Sequence, residues 1–163
     1  MGFRIRRVVT GHDERGKAVV AHDDVLSAVD NKRATPGEKK NVGDAFIWET
    51  YSMPAEAAGP IPAETPGRLG PGPQGTILRV LEFPAGMELP LHATDSIDYL
   101  ICLEGSIDML LDEGASVHLE AGDVLIQRAT AHGWRNSSGK PCRLAFFLVD
   151  ARGRIPRRAH APH

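Results

Sequence analysis

Apolar and polar residues alternate in short runs along this chain, and glycine or proline interrupts them at close intervals. No segment sustains a helical period, so the pattern predicts strands. Phe3 to Thr10 and Lys17 to His22 flank the polar turn His12-Asp13-Glu14-Arg15-Gly16 and predict a hairpin. Asp23 to Asp30 (DDVLSAVD) fits a short helix or a loop. Residues 31 to 44 are charged and turn-rich, and Ala45 to Tyr51 (AFIWETY) predicts a further strand. Between Met53 and Gly75 stand six prolines and five glycines, which predicts an extended loop without regular structure. A loop of that length in a compact domain often lies over a site or at a subunit contact.

Beyond Gly75 the strands come close together. They are expected at Ile77 to Phe83, Ser96 to Leu103, Ser106 to Leu111, Ser116 to Leu119, Asp123 to Gln127, His132 to Asn136 and Arg143 to Val149. Asp112-Glu113-Gly114 is the clearest hairpin turn, and Ser137 to Pro141 forms another. So many short strands point to a sandwich or barrel rather than a helix-covered sheet.

Composition narrows the classes. A chain of 163 residues fits one domain with a real core. A formal net charge of -2 argues against nucleic acid as the main partner, because phosphate binding leaves a basic footprint. Basic residues cluster at the ends, at Arg4, Arg6 and Arg7 and at Arg152, Arg154, Arg157 and Arg158. Cys102 and Cys142 are the two cysteines, both in apolar runs, and read as buried free thiols of a reducing compartment. The opening MGFRIRRVVTGHD has no apolar signal core, and no run approaches membrane-spanning length. The expectation is a cytoplasmic protein with neither membrane nor nucleic acid as partner.

Two glycine-bracketed blocks carry the chemistry. One is Gly86-x5-His92-x-Thr94-x3-Asp98-x6-Gly105; the other is Gly122-Asp123 followed by His132-x3-Asn136. In an extended strand, residues at even separation share a face. That rule sends His92, Thr94 and Asp98 to one side, and His132, Trp134 and Asn136 to one side. If the two strands neighbour each other across a barrel, His92, Asp98 and His132 converge. Two histidines and a carboxylate form the facial triad associated with non-haem Fe(II) and can hold other divalent metals. The competing reading keeps both histidines as polar residues in a barrel without metal.

The region 76 to 150 resembles the cupin superfamily, in particular its small, single-domain, RmlC-like jelly-roll members. The first cupin motif is usually written G-x5-H-x-H-x3-4-E-x6-G and the second G-x5-P-x-G-x2-H-x3-N. Gly86, His92 and Gly105 match the first; Thr94 replaces its second histidine, and Asp98 stands where glutamate is usual. Gly122, His132 and Asn136 match the second, one residue short; its proline is missing and Ala129 stands where glycine is usual. The resemblance implies an all-β double-stranded β-helix, or jelly-roll barrel, with an N-terminal β-hairpin extension. Residues 1 to 75 would decorate the barrel, and 151 to 163 would form a basic tail.

Many cupins bind metal through three histidines and a glutamate. Carried over by position, the resemblance implies one divalent ion (Fe, Mn, Zn or Ni) on His92, Asp98 and His132. Thr94 would supply a weak ligand, hold a water or do nothing. Asp98, one methylene short, would either reach the metal or bond an imidazole. Around the site, Trp134 would wall the cavity or pack in the core. Arg79 would hold a substrate carboxylate inside or snorkel to the surface. Gln127 would contact ligand or shape the turn. Three functions follow: a metal-dependent enzyme on a small carbonyl or carboxylate compound (dioxygenase, decarboxylase, isomerase or lyase), a non-catalytic small-molecule binder, or a metal-free epimerase-type catalyst using His and Asp. Homodimerisation through sheet pairing or the N-terminal hairpin completes the expectation.

Overall fold

The computed structural model describes residues 2–31, 41–63 and 70–153. Twelve strands follow in order: β1 (Arg4–His12), β2 (Ala18–Ser27), β3 (Val29–Asn31), β4 (Val42–Thr50), β5 (Thr76–Phe83), β6 (Glu88–His92), β7 (Ser96–Glu104), β8 (Ser106–Leu110), β9 (Ser116–Glu120), β10 (Val124–Arg128), β11 (His132–Arg135) and β12 (Cys142–Asp150). A 3-10 turn, Asp112–Gly114, joins β8 to β9, so the expected hairpin turn is in place. The strands form a six-stranded sheet in the order β10-β7-β12-β5-β4-β3, a four-stranded sheet in the order β6-β11-β8-β9, and the separate hairpin β1-β2. The fold is the all-β jelly-roll barrel with an N-terminal hairpin that the motifs implied.

Strand alternation decides what each face of the large sheet meets. On β4, β5 and β12, Phe46, Ile77, Phe83, Leu144, Phe146 and Leu148 point inward, where they pack against Ile107, Met109, Leu119 and Trp134 of the small sheet. The residues between them point the other way. Ala45, Val80 and Ala145 meet Phe3, Ile5 and Ala28 in a second apolar cluster beneath the hairpin. Arg7 anchors that hairpin, pairing with Asp24 at 2.6 Å while donating to the Ile47 carbonyl at 3.1 Å.

Two expectations change. Asp23 to Asp30 is neither helix nor loop. β2 runs on to Ser27 because the first half of β1 needs a partner, with Arg4 opposite Ser27 and Arg6 opposite Val25, and β3 begins at Val29. Asp23 and Asp24 are ion-pair partners of Arg6 and Arg7 across the hairpin. The second change is β6, which the sequence pattern omitted because it contains Pro90. It is the outer strand of its sheet, where a missing N–H breaks no internal ladder. The described parts of the segment from 53 to 75 hold no strand or helix, as expected; residues 64–69, like 32–40 and the basic tail from 154, lie outside the described residues. β4 pairs with β5 along its length and Val42 reaches the core, so the barrel sheet extends across the expected boundary at residue 76.

Candidate active site

β6 and β11 are neighbours, and His92 is the register partner of His132. Their ring centroids stand 4.3 Å apart. Asp98 does not reach them along one extended strand. β6 ends at His92, the chain crosses to the other sheet through residues 93–95, and Ser96 opens β7. The carboxylate therefore faces the imidazoles from the opposite wall. The first block supplies both walls, which parity within a single strand could not reveal.

Each imidazole is tethered by a main-chain carbonyl. His92 Nδ1 lies 2.9 Å from Pro90 O, and His132 Nδ1 lies 3.0 Å from Thr130 O. A carbonyl only accepts, so in both rings Nδ1 carries the hydrogen and Nε2 the lone pair. Burial differs sharply: His132 is 3% exposed, whereas His92 is open to solvent. Burial pushes the His132 pKa down to about 4, against the raising effect of the Thr130 carbonyl, with the neighbouring His92 lowering it further. His132 is thus held neutral.

Asp98 is 3% exposed. Burial raises its pKa, opposed by hydrogen bonds from Ser96 and Thr94 and by the charge of His92. Ser96 Oγ donates to Oδ1 at 2.5 Å and lies 2.9 Å from Thr94 Oγ1. On the other side, Gln127, the register partner of Asp98, donates from Nε2 to Oδ2 at 3.3 Å. The same amide nitrogen lies 3.3 Å from Nε2 of His132 and 2.7 Å from Nδ1. With the Nδ1 hydrogen given to Thr130, neither contact is a hydrogen bond: an atom nearer Nδ1 than Nε2 lies off the line of the Nε2 lone pair, so the Gln127 amide packs against the Nδ1 side of the ring. Gln127 Oε1 is buried without a hydrogen-bond partner among the described residues.

A cavity of about 380 Å³ opens beside this group. Phe83, Trp134, Phe146, Leu81, Leu89 and Leu148 give it apolar walls; His92, Thr94, Asp98, His132 and Arg79 supply its polar atoms. Of the lining residues only Pro90 and His92 are exposed, which places the mouth at β6. Trp134 sits edge-on to His132 with centroids 5.9 Å apart and packs on Phe83 at 5.7 Å, so it is both wall and core. Arg79 does not snorkel. It is 2% exposed, lies 3.5 Å from Asp44 and covers the Phe46 ring at 5.9 Å. Gln127 does not line the cavity; it stands behind Asp98 and His132.

The arrangement tests a metal ion directly. The two tethered imidazoles have the tautomer that ligating histidines use. The carboxylate does not join them, since Asp98 is held by Ser96 and Gln127, and among the described residues no three His, Cys, Asp or Glu side chains converge on a common point. As arranged, the residues do not fit a three-ligand site.

Asn136 follows β11 but faces away from the cavity. Its amide donates to Phe83 O and Lys140 O, each at 2.8 Å, and its oxygen accepts from Ser138. It fastens the barrel's end. Gly105 is required twice over: φ is +75°, and a Cβ there would meet Pro141 O at 2.6 Å. Ala129 adopts φ +51°, the left-handed conformation that the motif's usual glycine supplies freely. Ser96 and Asp44 escaped the sequence reading, although Ser96 lies two positions before Asp98 and shares its face by simple alternation.

Fold, motif order and paired histidines define a cupin barrel, and the chain belongs to the cupin family: the cupin domain matches residues 79–149. It is 35% identical over 153 residues to the cupin-domain-containing oxidoreductase fogC of Aspergillus ruber, covering 90% of this chain and 73% of the relative. With the cupin-domain-containing oxidoreductase virC of Hypocrea virens it shares 31% over 155 residues, covering 91% and 77%. Among solved structures, a double-stranded β-helix protein of Klebsiella pneumoniae superposes with a TM-score of 0.50 at 19% identity, over 74% of this chain and 84% of that one.

Proposed function

We propose that this cupin is an enzyme acting on a small, largely apolar organic molecule that carries a carbonyl or carboxylate. One observation carries the reading: a neutral buried imidazole and a solvent-side imidazole stand together on the wall of an apolar cavity that also holds a buried guanidinium. His92 is the proton carrier, because it stands at the cavity mouth with Nδ1 tethered to Pro90 and Nε2 left to take the proton. His132, its Nδ1 held by the Thr130 carbonyl, stays neutral and orients the pair. Arg79 receives the developing oxyanion or the carboxylate. Asp98 and Arg79 are two strands and two register positions apart in the sheet, about 12 Å between backbones by strand spacing and rise, which sets the scale of the molecule between them.

The step is balanced within these residues. His92 takes a proton from the carbon beside the carbonyl, the C–H electron pair moves into an enolate held at oxygen by Arg79, and the proton returns to the same carbon or, where that carbon bears a hydroxyl whose own proton passes to the first oxygen, to the former carbonyl carbon. Isomerisation is complete at that point. Decarboxylation reaches the same enolate by losing CO2, and dioxygenase chemistry adds O2 as oxidant. The oxidoreductase names of the relatives support the last of these.

The test is solvent exchange. The protein is incubated in D2O with a panel of small ketones, keto acids and hydroxy acids, and deuterium incorporation is followed by NMR. Incorporation that disappears in His92→Ala supports the reading. Saturable binding with no exchange and no turnover across the panel would make the chain a binding module instead.

A divalent ion (Fe, Mn, Zn or Ni) on His92, Asp98 and His132 is the second reading, favoured by the two carbonyl tethers. It requires Gln127 to release Asp98. For assembly we infer a homodimer, supported by the bare apolar outer face formed by Tyr99, Ile101, Leu103, Val124, Ile126 and Phe147 on three adjacent strands. Two free buried thiols suit a reducing compartment such as the cytoplasm. Among the described residues no helix is long and apolar enough to cross a membrane.

A further inference from the structure

The carboxylate and buried imidazole that would complete a three-ligand centre both touch one further side chain. We propose that the side-chain amide of Gln127, bonded to Asp98 and packed on the Nδ1 side of His132, holds the carboxylate back from the imidazoles and so closes it to metal. The inference deepens the proton-transfer reading above and rests on it for its functional meaning.

Placement is the first argument. Gln127 is opposite Asp98 on the paired strands β10 and β7, and the chain from β10 leads into β11 and His132. Its side chain therefore enters where the two sheets meet, and it is 2% exposed. Hydrogen bonding is the second. The amide nitrogen donates to Asp98 Oδ2 at 3.3 Å and lies 2.7 Å from Nδ1 of His132, so the carboxylate is tied to a group outside the cavity lining. A metal ion needs its ligand atoms about 2.0–2.2 Å away, and a carboxylate held in this way does not come to it. Ser96 adds the third argument, for its 2.5 Å bond to Oδ1 holds Asp98 from the other side, so the carboxylate is restrained at both oxygens.

The consequence is a gate made of one side chain. Shortening Gln127 frees Asp98 to join the imidazoles, whereas neutralising Asp98 in the native chain costs little metal affinity because it contributes little. Co2+ and Zn2+ titrations of the full chain test this as a double-mutant cycle. Asp98→Asn is expected to bind within about threefold of the native protein. Gln127→Ala should bind more than about tenfold tighter, and adding Asp98→Asn should erase that gain. A weakening of about tenfold or more in Asp98→Asn alone would show that Asp98 is already a ligand and overturn the proposal, as would a folded Gln127→Ala that binds no tighter.

A measurement on the metal-free native protein stands apart from metal affinity and from the folding of Gln127→Ala. The side-chain amide hydrogens of Gln127, observed by 15N NMR, should exchange slowly and shift in Asp98→Asn. Exchange at the solvent rate, or indifference to Asp98→Asn, overturns the proposal. Failure of the deuterium-exchange assay above sinks the catalytic reading alone, because neither the titration nor the NMR signal depends on turnover.

Discussion

His92 and His132 are opposite each other across β6 and β11, with ring centroids 4.3 Å apart, yet one faces solvent and the other is 3% exposed. Identical side chains thereby acquire different roles. His92→Ala is expected to lower turnover by about 10²–10⁴-fold, the usual worth of a positioned general base. His92→Gln, which keeps size and loses basicity, should be nearly as inactive. Steady-state rates on the first substrate found by solvent exchange decide it.

His132 imposes a pH dependence on stability. Its folded pKa of about 4 lies below the ordinary 6.5, so the unfolded chain binds the proton more readily between those values. The stability it contributes is complete above pH 6.5 and is lost as pH falls toward 4, amounting to about 3 kcal/mol. Asp98 acts in the opposite sense, since its raised pKa makes protonation favour the fold. The two are separated by urea unfolding of the native protein and His132→Gln at several pH values: the difference should shrink or reverse as pH falls through this window.

Arg79 and Asp44 are buried together at 2% and 1% side-chain exposure. Removing one charge strands the other. Arg79→Met should cost about 3–5 kcal/mol in urea unfolding, and Arg79→Met combined with Asp44→Leu should recover most of it. The double variant should also lose its preference for acidic over neutral ligands in binding assays.

Ala129 carries backbone strain at φ +51°. Ala129→Gly should raise stability by about 1 kcal/mol, read from the urea midpoint at constant slope. A fall would mean that the extra freedom of the unfolded glycine chain outweighs the relief.

Cys102 and Cys142 lie 3.9 Å apart, sulfur to sulfur, in the core. Burial raises both thiol pKa values, that of Cys142 to about 12. Neither should react with iodoacetamide in the folded state at pH 8, and both should react on denaturation, as mass spectrometry will show.

Most of the fold was legible because its signals are local. Alternation and glycine punctuation located ten of the twelve strands at least in part, leaving β3 and β6 unread. What escaped was decided at a distance: β2 extends because β1 requires a partner, and β6 survives its proline because it is an edge. The site divides the same way. Spacing grouped His92, His132 and Asp98, but the crossing at residues 93–95 that separates His92 from Asp98 has no period to read. Gln127 was visible only as a residue near the second block. That its amide meets both Asp98 and His132 depends on which strands lie side by side, which no single segment encodes.

One wall of this barrel serves two masters. Along β5, Arg79 turns into the cavity and Val80 turns out beneath the hairpin, where Phe3 also stacks under Arg143 at 5.1 Å. The hairpin is thus the back of the binding surface, one strand thick from its guanidinium. A fluorine label on Phe3 would make that outer cluster a reporter, placed where it cannot obstruct the mouth at β6, of whether the chamber behind it is filled.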